Sequence, residues 1–309
     1  MILTLTLNPC IDLEIEVQRL VCDDINRVAA SRREAGGKGI NVSRMVHALG
    51  GKTMVIAPFG GQMGVDFLNR FSQMRLRAKL VPISGETRLN VNILEAGGRA
   101  HTRLNASGPR LSARELHQVF DAVERNLPRA AMLVLSGSLP PGVPTDTYAE
   151  LIRMANRRGV RTILDTDGEP LRRGLRAKPF LVKPNLFEAR RLLGGRLDTT
   201  AAVARAAQRL LKMGAEVAVI SRGPLGAVLA SADGCWTARP PRQIVRNTVG
   251  VGDCLTAALA WALKRERPFD EALRWGVASG AACAVRPPDR SYCSREVRRL
   301  VPRVVVRAL

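Results

Sequence analysis

Aromatic side chains, histidines and closely spaced cysteines are scarce in this chain of 309 residues. Phe, Trp and Tyr make up 4% of the sequence, which leaves few flat side chains to stack on single-stranded nucleic acid. There are three histidines, and the cysteines form no C-x-x-C pair, so we expect neither a zinc site nor a disulfide framework. We expect free thiols at Cys10, Cys22, Cys235, Cys254, Cys283 and Cys293.

Long apolar runs are also missing. No stretch of about 18 apolar residues, the length that crosses a bilayer, occurs in the sequence. The opening MILTLTLNP turns polar too early for a signal peptide. These absences predict a cytoplasmic protein without a membrane segment.

Acidic residues are outnumbered by basic ones. The 27 Asp and Glu residues stand against 48 Lys and Arg, which gives a formal net charge of +21. The basic residues are spread along the chain in short clusters such as Arg157-Arg158, whereas a nucleic-acid site gathers them on one face. We therefore expect no dedicated nucleic-acid partner and a surface that favours anionic small molecules.

Short apolar runs alternate with helical patterns along most of the chain. MILTLTL, KTMVIAPFG, AMLVLSGS, VRTILDT and VAVIS are typical of buried strands, and ten to fifteen residues of helical periodicity follow several of them. This alternation predicts an α/β protein whose mostly parallel sheet is covered by helices on both faces.

Two segments depart from this alternation. Residues 12–34 and 88–106 alternate apolar and polar side chains at period two, as exposed antiparallel strands do, and AGGR from Ala96 to Arg99 is typical of a hairpin turn. We predict a core made of residues 1–11, 35–87 and 107–309. The two departing segments are predicted to form a discontinuous β lid.

Several polar or glycine-rich motifs follow the apolar runs, where ligands bind in open parallel sheets. They are EAGGKGINVSR from Glu34, LSGSLPPGVP from Leu135 and ISRGPLGAVLA from Ile220. In the first motif, glycines let the backbone approach a ligand, Lys38 adds positive charge and Asn41 falls in the first turn of a helix. These positions are candidate ligand contacts.

Two further motifs carry oxygen ligands at helix starts. In LVKPNLFEARRLL, Asn185 and Glu188 are three residues apart, so they can hold Mg²⁺, directly or through water, or can cap the helix. In RNTVGVGDCLTAALAWALK, Asp253 follows two glycines at the start of an apolar helix. A carboxylate there can cap the helix or do chemistry at its positive end.

The order of these motifs resembles the PfkB family of carbohydrate kinases, which is related to ribokinase. The resemblance runs over nearly the whole chain, through TLTLNPCID, NRV, AGGKGINVSR, GETRLNVNI, SGSLPPGV, VKPNLFEA, SRGPLGA and NTVGVGD. It is closest to the phosphosugar kinases, among them tagatose-6-phosphate kinases and 1-phosphofructokinases. It implies a ribokinase-like three-layer α/β/α core with a β lid, and ATP-dependent phosphorylation of a ketohexose phosphate to a bisphosphate.

The resemblance also implies roles for individual residues. Asp253 is implied as the catalytic base, and Gly250, Val251 and Gly252 as an anion hole for the transferred phosphate, because a helix N-terminus attracts anions. The implied sugar contacts are Asp12, Gly37, Asn41 and Ser138, and the candidates for the substrate's own phosphate are Arg27, Lys38, Arg88 and Arg103. The implied nucleotide contacts are Lys183, Asn185, Ser221, Gly223 and Gly226, and Glu188 with Asn185 is implied for Mg²⁺.

Some positions depart from the family pattern, and some alternatives stay open. The family usually has alanine or serine at Val251, and Pro287 and Pro288 stiffen a loop that commonly contains glycine. Tagatose 6-phosphate, fructose 1-phosphate and fructose 6-phosphate are all candidate substrates, although Lys38 differs from the glycine of the minor 6-phosphofructokinases. A homodimer through the lid is implied. A kinase of an unphosphorylated sugar and a non-catalytic binding or regulatory protein remain the alternatives.

Overall fold

The computed structural model describes residues 1–96, 101–245, 248–286 and 292–309. The strands in these ranges are β1 (Ile2–Leu5), β2 (Cys10–Val17), β3 (Val28–Gly36), β4 (Thr53–Phe59), β5 (Ala78–Pro82), β6 (Arg88–Glu95), β7 (His101–Leu104), β8 (Met132–Ser136), β9 (Arg161–Asp165), β10 (Leu181–Val182), β11 (Val217–Ser221), β12 (Ala227–Ser231), β13 (Gly234–Arg239) and β14 (Val305–Ala308). The α-helices are α1 (Lys38–Ala48), α2 (Gly61–Ser72), α3 (Ala113–Asn126), α4 (Thr147–Asn156), α5 (Gly168–Arg176), α6 (Leu186–Leu193), α7 (Thr200–Lys212), α8 (Val251–Leu263), α9 (Phe269–Val285) and α10 (Ser294–Leu300).

Ten strands form the main sheet, in the order β14-β13-β12-β11-β10-β9-β8-β1-β4-β5. The strands from β11 to β5 in this order run parallel to their neighbours. At the other edge β12, β13 and β14 continue the sheet in antiparallel pairs. This confirms the predicted α/β class and its mostly parallel sheet.

Helices cover both faces of the main sheet, because successive side chains of each buried strand point to opposite sides. In β8, Met132 and Val134 belong to an apolar cluster with side chains of α1, α8, α9 and α10. Leu133 and Leu135 of the same strand belong to a second cluster, with side chains of α3, α4, α5 and α7. The three-layer arrangement therefore follows from strands that are apolar on both faces.

A separate sheet of four strands has the order β3-β2-β6-β7. The pairs β2 with β3 and β6 with β7 are antiparallel, as the period-two pattern predicts, but β2 and β6 are joined in parallel. The strands reach Cys10 and Gly36, two residues beyond the predicted lid segment 12–34, and the division into core and lid stays a prediction. In the predicted AGGR turn, Gly97, Gly98 and Arg99 lie outside the described residues.

The small sheet is fixed to the core at its base. Ile11 and Ala35, at the core end of β2 and β3, pack in one buried cluster with Phe67 and Phe71 of α2. Most of β3 beyond this cluster is exposed. The base of the sheet is therefore held firmly, and its outer part faces solvent.

The predictions about thiols and about membrane segments can be compared with the structure. The six cysteines are free thiols, as predicted. In the described part of the chain, no helix combines the length and the apolar character that crossing a membrane requires.

Gly214, just after α7, lies in close contact with the backbone of α5. Its φ of +127° disfavours any side chain, and a Cβ there would collide with the carbonyl oxygen of Leu175. Gly159 also has a positive φ, of +65°, but nothing lies within 4 Å of a Cβ placed there. We expect Gly159→Ala to lower the free energy of unfolding by about 1–2 kcal/mol through backbone strain alone. Gly214→Ala should cost at least about 1 kcal/mol more, because overpacking is added to strain. Urea unfolding of both variants measures the difference, and equal losses would contradict this docking.

Candidate active site

A cavity of about 1220 Å³ opens at the carboxyl ends of the parallel strands. Its lining includes Thr6, Gly137, Asp165, Lys183 and Ser221, which end or follow β1, β8, β9, β10 and β11. This is the edge of an open α/β sheet at which ligands bind. The volume exceeds that of a typical pocket for one small ligand, so two substrates can share it.

All but one of the residues implied by the resemblance line this cavity. The exception is Arg27, which is exposed between β2 and β3. The lining residues are Asp12, Gly37, Lys38, Asn41, Arg88, Arg103, Ser138, Lys183, Asn185, Glu188, Ser221, Gly223, Gly226, Gly250, Val251, Gly252 and Asp253.

Asp253 lies in the first turn of α8 and is only 7% exposed. Among the described residues its hydrogen-bond partner is Asn41 of α1, whose Nδ2 donates to Oδ2 at 2.8 Å. The carboxylate therefore does not cap its own helix, which was one interpretation of the sequence. Burial raises the pKa of Asp253 to about 6, although the positive charge of Lys38 and the Asn41 hydrogen bond act in the opposite direction.

The start of α8 is shaped to hold an anion. Gly250 precedes the helix with a φ of +74°, in the left-handed region that favours glycine. A Cβ at this position would approach the hydroxyl of Tyr292 to 3.0 Å. The first N–H groups of a helix have no intrahelical acceptor and carry the positive end of its dipole. They can therefore donate to an anion beside Asp253.

An ion cluster around the buried carboxylate of Asp165, which we did not predict, lies near Asp253. Lys38 Nζ contacts Asp165 Oδ1 and Lys183 Nζ contacts Asp165 Oδ2, both at 3.2 Å. Thr256 of α8 donates its hydroxyl to the same carboxylate at 3.0 Å. Burial favours the neutral acid, but the two ammonium groups outweigh it and hold the pKa of Asp165 below its ordinary value. Asp165 thus fixes both lysines relative to α8.

The sequence did contain a signal for Asp165. VRTILDT is an apolar run that ends in a carboxylate, and residues at the carboxyl end of a buried parallel strand face the ligand edge of the sheet. Applied to this run, the rule selects Asp165, whereas Lys183 after the next strand was implied by the family resemblance.

The sugar-side carboxylate Asp12 lies on β2, at the base of the small sheet. Its Oδ1 accepts hydrogen bonds from Asn90 Nδ2 at 3.1 Å and from Cys10 Sγ at 3.3 Å. Burial raises the pKa of Asp12, although both hydrogen bonds and the charge of Arg88 lower it. Ser138, another implied sugar contact, accepts a hydrogen bond from Asn8 Nδ2 at 3.2 Å.

The four cations implied for the substrate's phosphate have different surroundings. Arg88 donates from Nη1 to Ala106 O and from Nη2 to Asn8 O, both at 2.8 Å, and its buried Nε has no hydrogen-bond partner among the described residues. Arg103 donates at 2.6 Å to Oγ1 of Thr248, the residue two positions before Gly250. Lys38 is engaged by Asp165, and Arg27 is outside the cavity.

The nucleotide-side residues surround the start of α6 and the turn after β11. Asn185 caps α6, since its side chain accepts from the N–H groups of Phe187 and Glu188 at 2.9 Å. Glu188 Oε2 accepts in return from Asn185 N at 2.7 Å. The capping interpretation of this pair is therefore realised, and Asn185 also bridges to Ser221 in parallel register. Gly223 begins and Gly226 follows the short turn that joins β11 to β12.

One of the two departures from the family pattern can be located. Val251 is half-buried, and its Cγ1 lies 3.5 Å from a Cβ placed on Gly280 of α9. The larger side chain thus packs against α9 at a glycine. The other departure, Pro287 and Pro288, lies outside the described residues.

Comparisons with known proteins find phosphofructokinases that are similar to this chain over most of its length. A 1-phosphofructokinase from Xanthomonas campestris pv. campestris is 37% identical over 266 residues, which cover 84% of this chain and 83% of that protein. A 1-phosphofructokinase from Bacillus subtilis is 31% identical over 312 residues, covering 100% of both. The crystal structure of phosphofructokinase-2 from Escherichia coli in complex with fructose-6-phosphate matches with a TM-score of 0.89 and 30% identity, over 98% of each chain.

A model of the pfkB family carbohydrate kinases matches residues 5–293. The match spans the cavity, the ion cluster and the small sheet, and it confirms the resemblance drawn from the motifs. Members of this family transfer a phosphate group to a sugar hydroxyl. The chain belongs to the pfkB family of carbohydrate kinases.

Proposed function

We propose that this protein transfers the γ-phosphate of ATP to a hydroxyl of a ketohexose phosphate, giving a bisphosphate. The observation that carries the proposal is Asp253, a buried carboxylate that lies in the first turn of α8, whose side chain bonds Asn41 rather than its own helix in the described residues. Fructose 1-phosphate is the preferred substrate in this proposal. The relatives named 1-phosphofructokinase support this choice. Lys38 supports it as well, because the minor 6-phosphofructokinases have glycine at that position. Tagatose 6-phosphate and fructose 6-phosphate are the alternatives.

Sugar binding places the acceptor hydroxyl against Asp253. Asp12, Gly37, Asn41 and Ser138 bind the other hydroxyls, and all four line the same cavity. The substrate's own phosphate binds Arg88 and Arg103, because a dianion is bound best by convergent cationic donors. The buried Nε of Arg88, without a partner in the described residues, is suited to this contact.

Transfer then needs an oriented hydroxyl and stabilised charge. Asp253 accepts the hydroxyl proton as the sugar oxygen attacks the γ-phosphorus in line, and the bond to the bridging oxygen of ADP breaks. The N–H groups at Gly250, Val251 and Gly252 donate to the transferred group. Lys38, held by Asp165, adds positive charge at the point of transfer.

The nucleotide side fits a magnesium ion that arrives with ATP. Among the described residues no cluster of three or more His, Cys, Asp or Glu side chains could hold a metal, and Mg²⁺ typically uses phosphates, waters and one or two carboxylates. Glu188 Oε1 has no protein partner in the described residues and is available through water. Asn185 Oδ1 already accepts two N–H bonds, so coordination there would compete with the cap. When bound, the ion would neutralise charge on the phosphates.

We also propose that residues 12–34 and 88–106 act as a lid on the core and pair with the lid of a second copy. Ile25 (83% exposed), Val28 (55%) and Leu104 (56%) leave large apolar side chains in solvent on this sheet. Exposed apolar side chains next to open strand edges are typical of a protein interface. Arg27 lies between Ile25 and Val28 in the chain and is also exposed.

Asp253→Asn should slow transfer strongly while leaving the fold intact. The amide cannot accept the hydroxyl proton, so we expect kcat to fall by about 10²–10⁴. The measurement is ADP release with fructose 1-phosphate, tagatose 6-phosphate, fructose 6-phosphate and unphosphorylated fructose. The wild type should be fastest with fructose 1-phosphate. Turnover of none of the four sugars would contradict the proposal and favour a non-catalytic binding protein.

The acid limb of the pH profile of kcat/KM should reflect the ionisation of Asp253. Only the ionised carboxylate accepts a proton, so kcat/KM should fall as the pH drops through about 6. Lys38→Met removes a charge that lowers this pKa, and the fall should therefore move to higher pH. Lys212→Met, an exposed lysine at the end of α7, is the matched control and should leave the profile in place. An unmoved profile in Lys38→Met would contradict the coupling.

Glu188→Gln should weaken the response to magnesium. Glutamine can still accept from Asn185 N, so the cap and the melting temperature should be preserved. The lost negative charge should raise the Mg²⁺ concentration for half-maximal activity about tenfold. Titration with MgCl₂ at saturating ATP and sugar measures this, and an unchanged midpoint would exclude Glu188 from holding the ion.

A further inference from the structure

Asn90 holds the carboxylate of Asp12 from the neighbouring strand. The two residues stand opposite each other where β2 and β6 run in parallel. Asn90 is 6% exposed, and its Nδ2 donates to Asp12 Oδ1 at 3.1 Å. A buried amide in this place fixes which way the carboxylate points.

The other end of the same amide is bonded to the segment that leaves the small sheet. Asn90 Oδ1 accepts from Ala106 N at 3.2 Å, and the carbonyl of Ala106 accepts from Arg88 Nη1 at 2.8 Å. Ala106 lies just after β7, where the chain returns to the core. One side chain thus connects Asp12 to the return segment, next to a candidate phosphate contact.

We propose that Asn90 is a positioning residue that orients Asp12 for the sugar hydroxyls and couples this orientation to the return segment at Ala106. The inference rests on the proposed sugar-phosphate kinase function and deepens it. An amide suits the position, because it donates to Asp12 and accepts from Ala106 at once. A carboxylate or an apolar side chain cannot do both.

The charges around Asp12 make the role measurable. Burial raises the pKa of Asp12, the hydrogen bonds from Asn90 and Cys10 and the charge of Arg88 lower it, and the charge of Glu34 raises it. The charge of Arg103 also interacts with Asp12. Loss of the Asn90 donor must therefore raise the pKa of Asp12 further. Binding that needs the ionised carboxylate is then lost at a higher pH.

Asn90→Asp separates positioning from a purely structural role. Aspartate has the same shape and can still accept from Ala106 N, but in its ionised form it cannot donate to Asp12 and it adds a negative charge beside it. Asn92→Asp is the matched control. Asn92 is also buried on β6, stands opposite Glu14, and makes no hydrogen bond to Asp12 within the described residues. Asn90→Ala removes both bonds.

The experiment is calorimetric binding of fructose 1-phosphate between pH 5.5 and pH 8, together with kcat and KM. We expect Asn90→Asp to weaken binding and raise KM about tenfold to a hundredfold at neutral pH, with kcat at saturation changed less than about threefold. The pH at which binding is lost should rise in Asn90→Asp and stay in place in Asn92→Asp. The phosphate of the sugar titrates in the same range, but it is common to all variants.

Two results would overturn the inference. If Asn90→Asp binds like the wild type while Asn90→Ala is impaired, the residue only ties down the return segment. If Asn92→Asp shifts the pH dependence of binding as much as Asn90→Asp does, the shift comes from added negative charge on β6 and not from the positioning of Asp12. A wild type that binds the sugar phosphate without turning it over would contradict the proposed function alone, because the binding shift still decides the role of Asn90.

Discussion

The site depends on keeping one carboxylate ionisable in a place with little water. Asp253 loses most of its hydration on burial, and this alone favours the neutral acid. Asn41 donates to it directly, and Lys38 and Lys183 place positive charge nearby. The result is a carboxyl group poised close to neutral pH, which suits a base that must take up a proton and later release it.

This balance is built by elements that are far apart in the chain. Helix α1 supplies Lys38 and Asn41, strand β9 supplies Asp165, and Lys183 follows β10. Because Asp165 binds both lysines and also accepts from Thr256 of α8, the charges cannot shift independently of the helix that carries Asp253. The parallel sheet matters to function mainly because it brings these strand ends to one edge.

Most of the fold could be predicted from the sequence, because the period of apolar residues is a local property. The α/β alternation, the helices on both faces and a second sheet all followed from it. The parallel pairing of β2 with β6 could not, since it joins residues 78 positions apart without a turn between them. Asn90 became visible as a partner of Asp12 only once this pairing was known. Arg27 shows the opposite case, because its motif was evident but the fold of one chain leaves it in solvent.

The ionisation of Asp253 can be measured directly. The carboxyl pKa can be measured by ¹³C NMR titration of the wild type, with Asp253→Asn used to assign the signal. We expect a midpoint near 6 in the absence of sugar phosphate and nucleotide, because burial outweighs the hydrogen bond from Asn41 and the charge of Lys38. A midpoint close to the ordinary 3.8 would show a solvated carboxylate and contradict the poising of Asp253 near neutral pH.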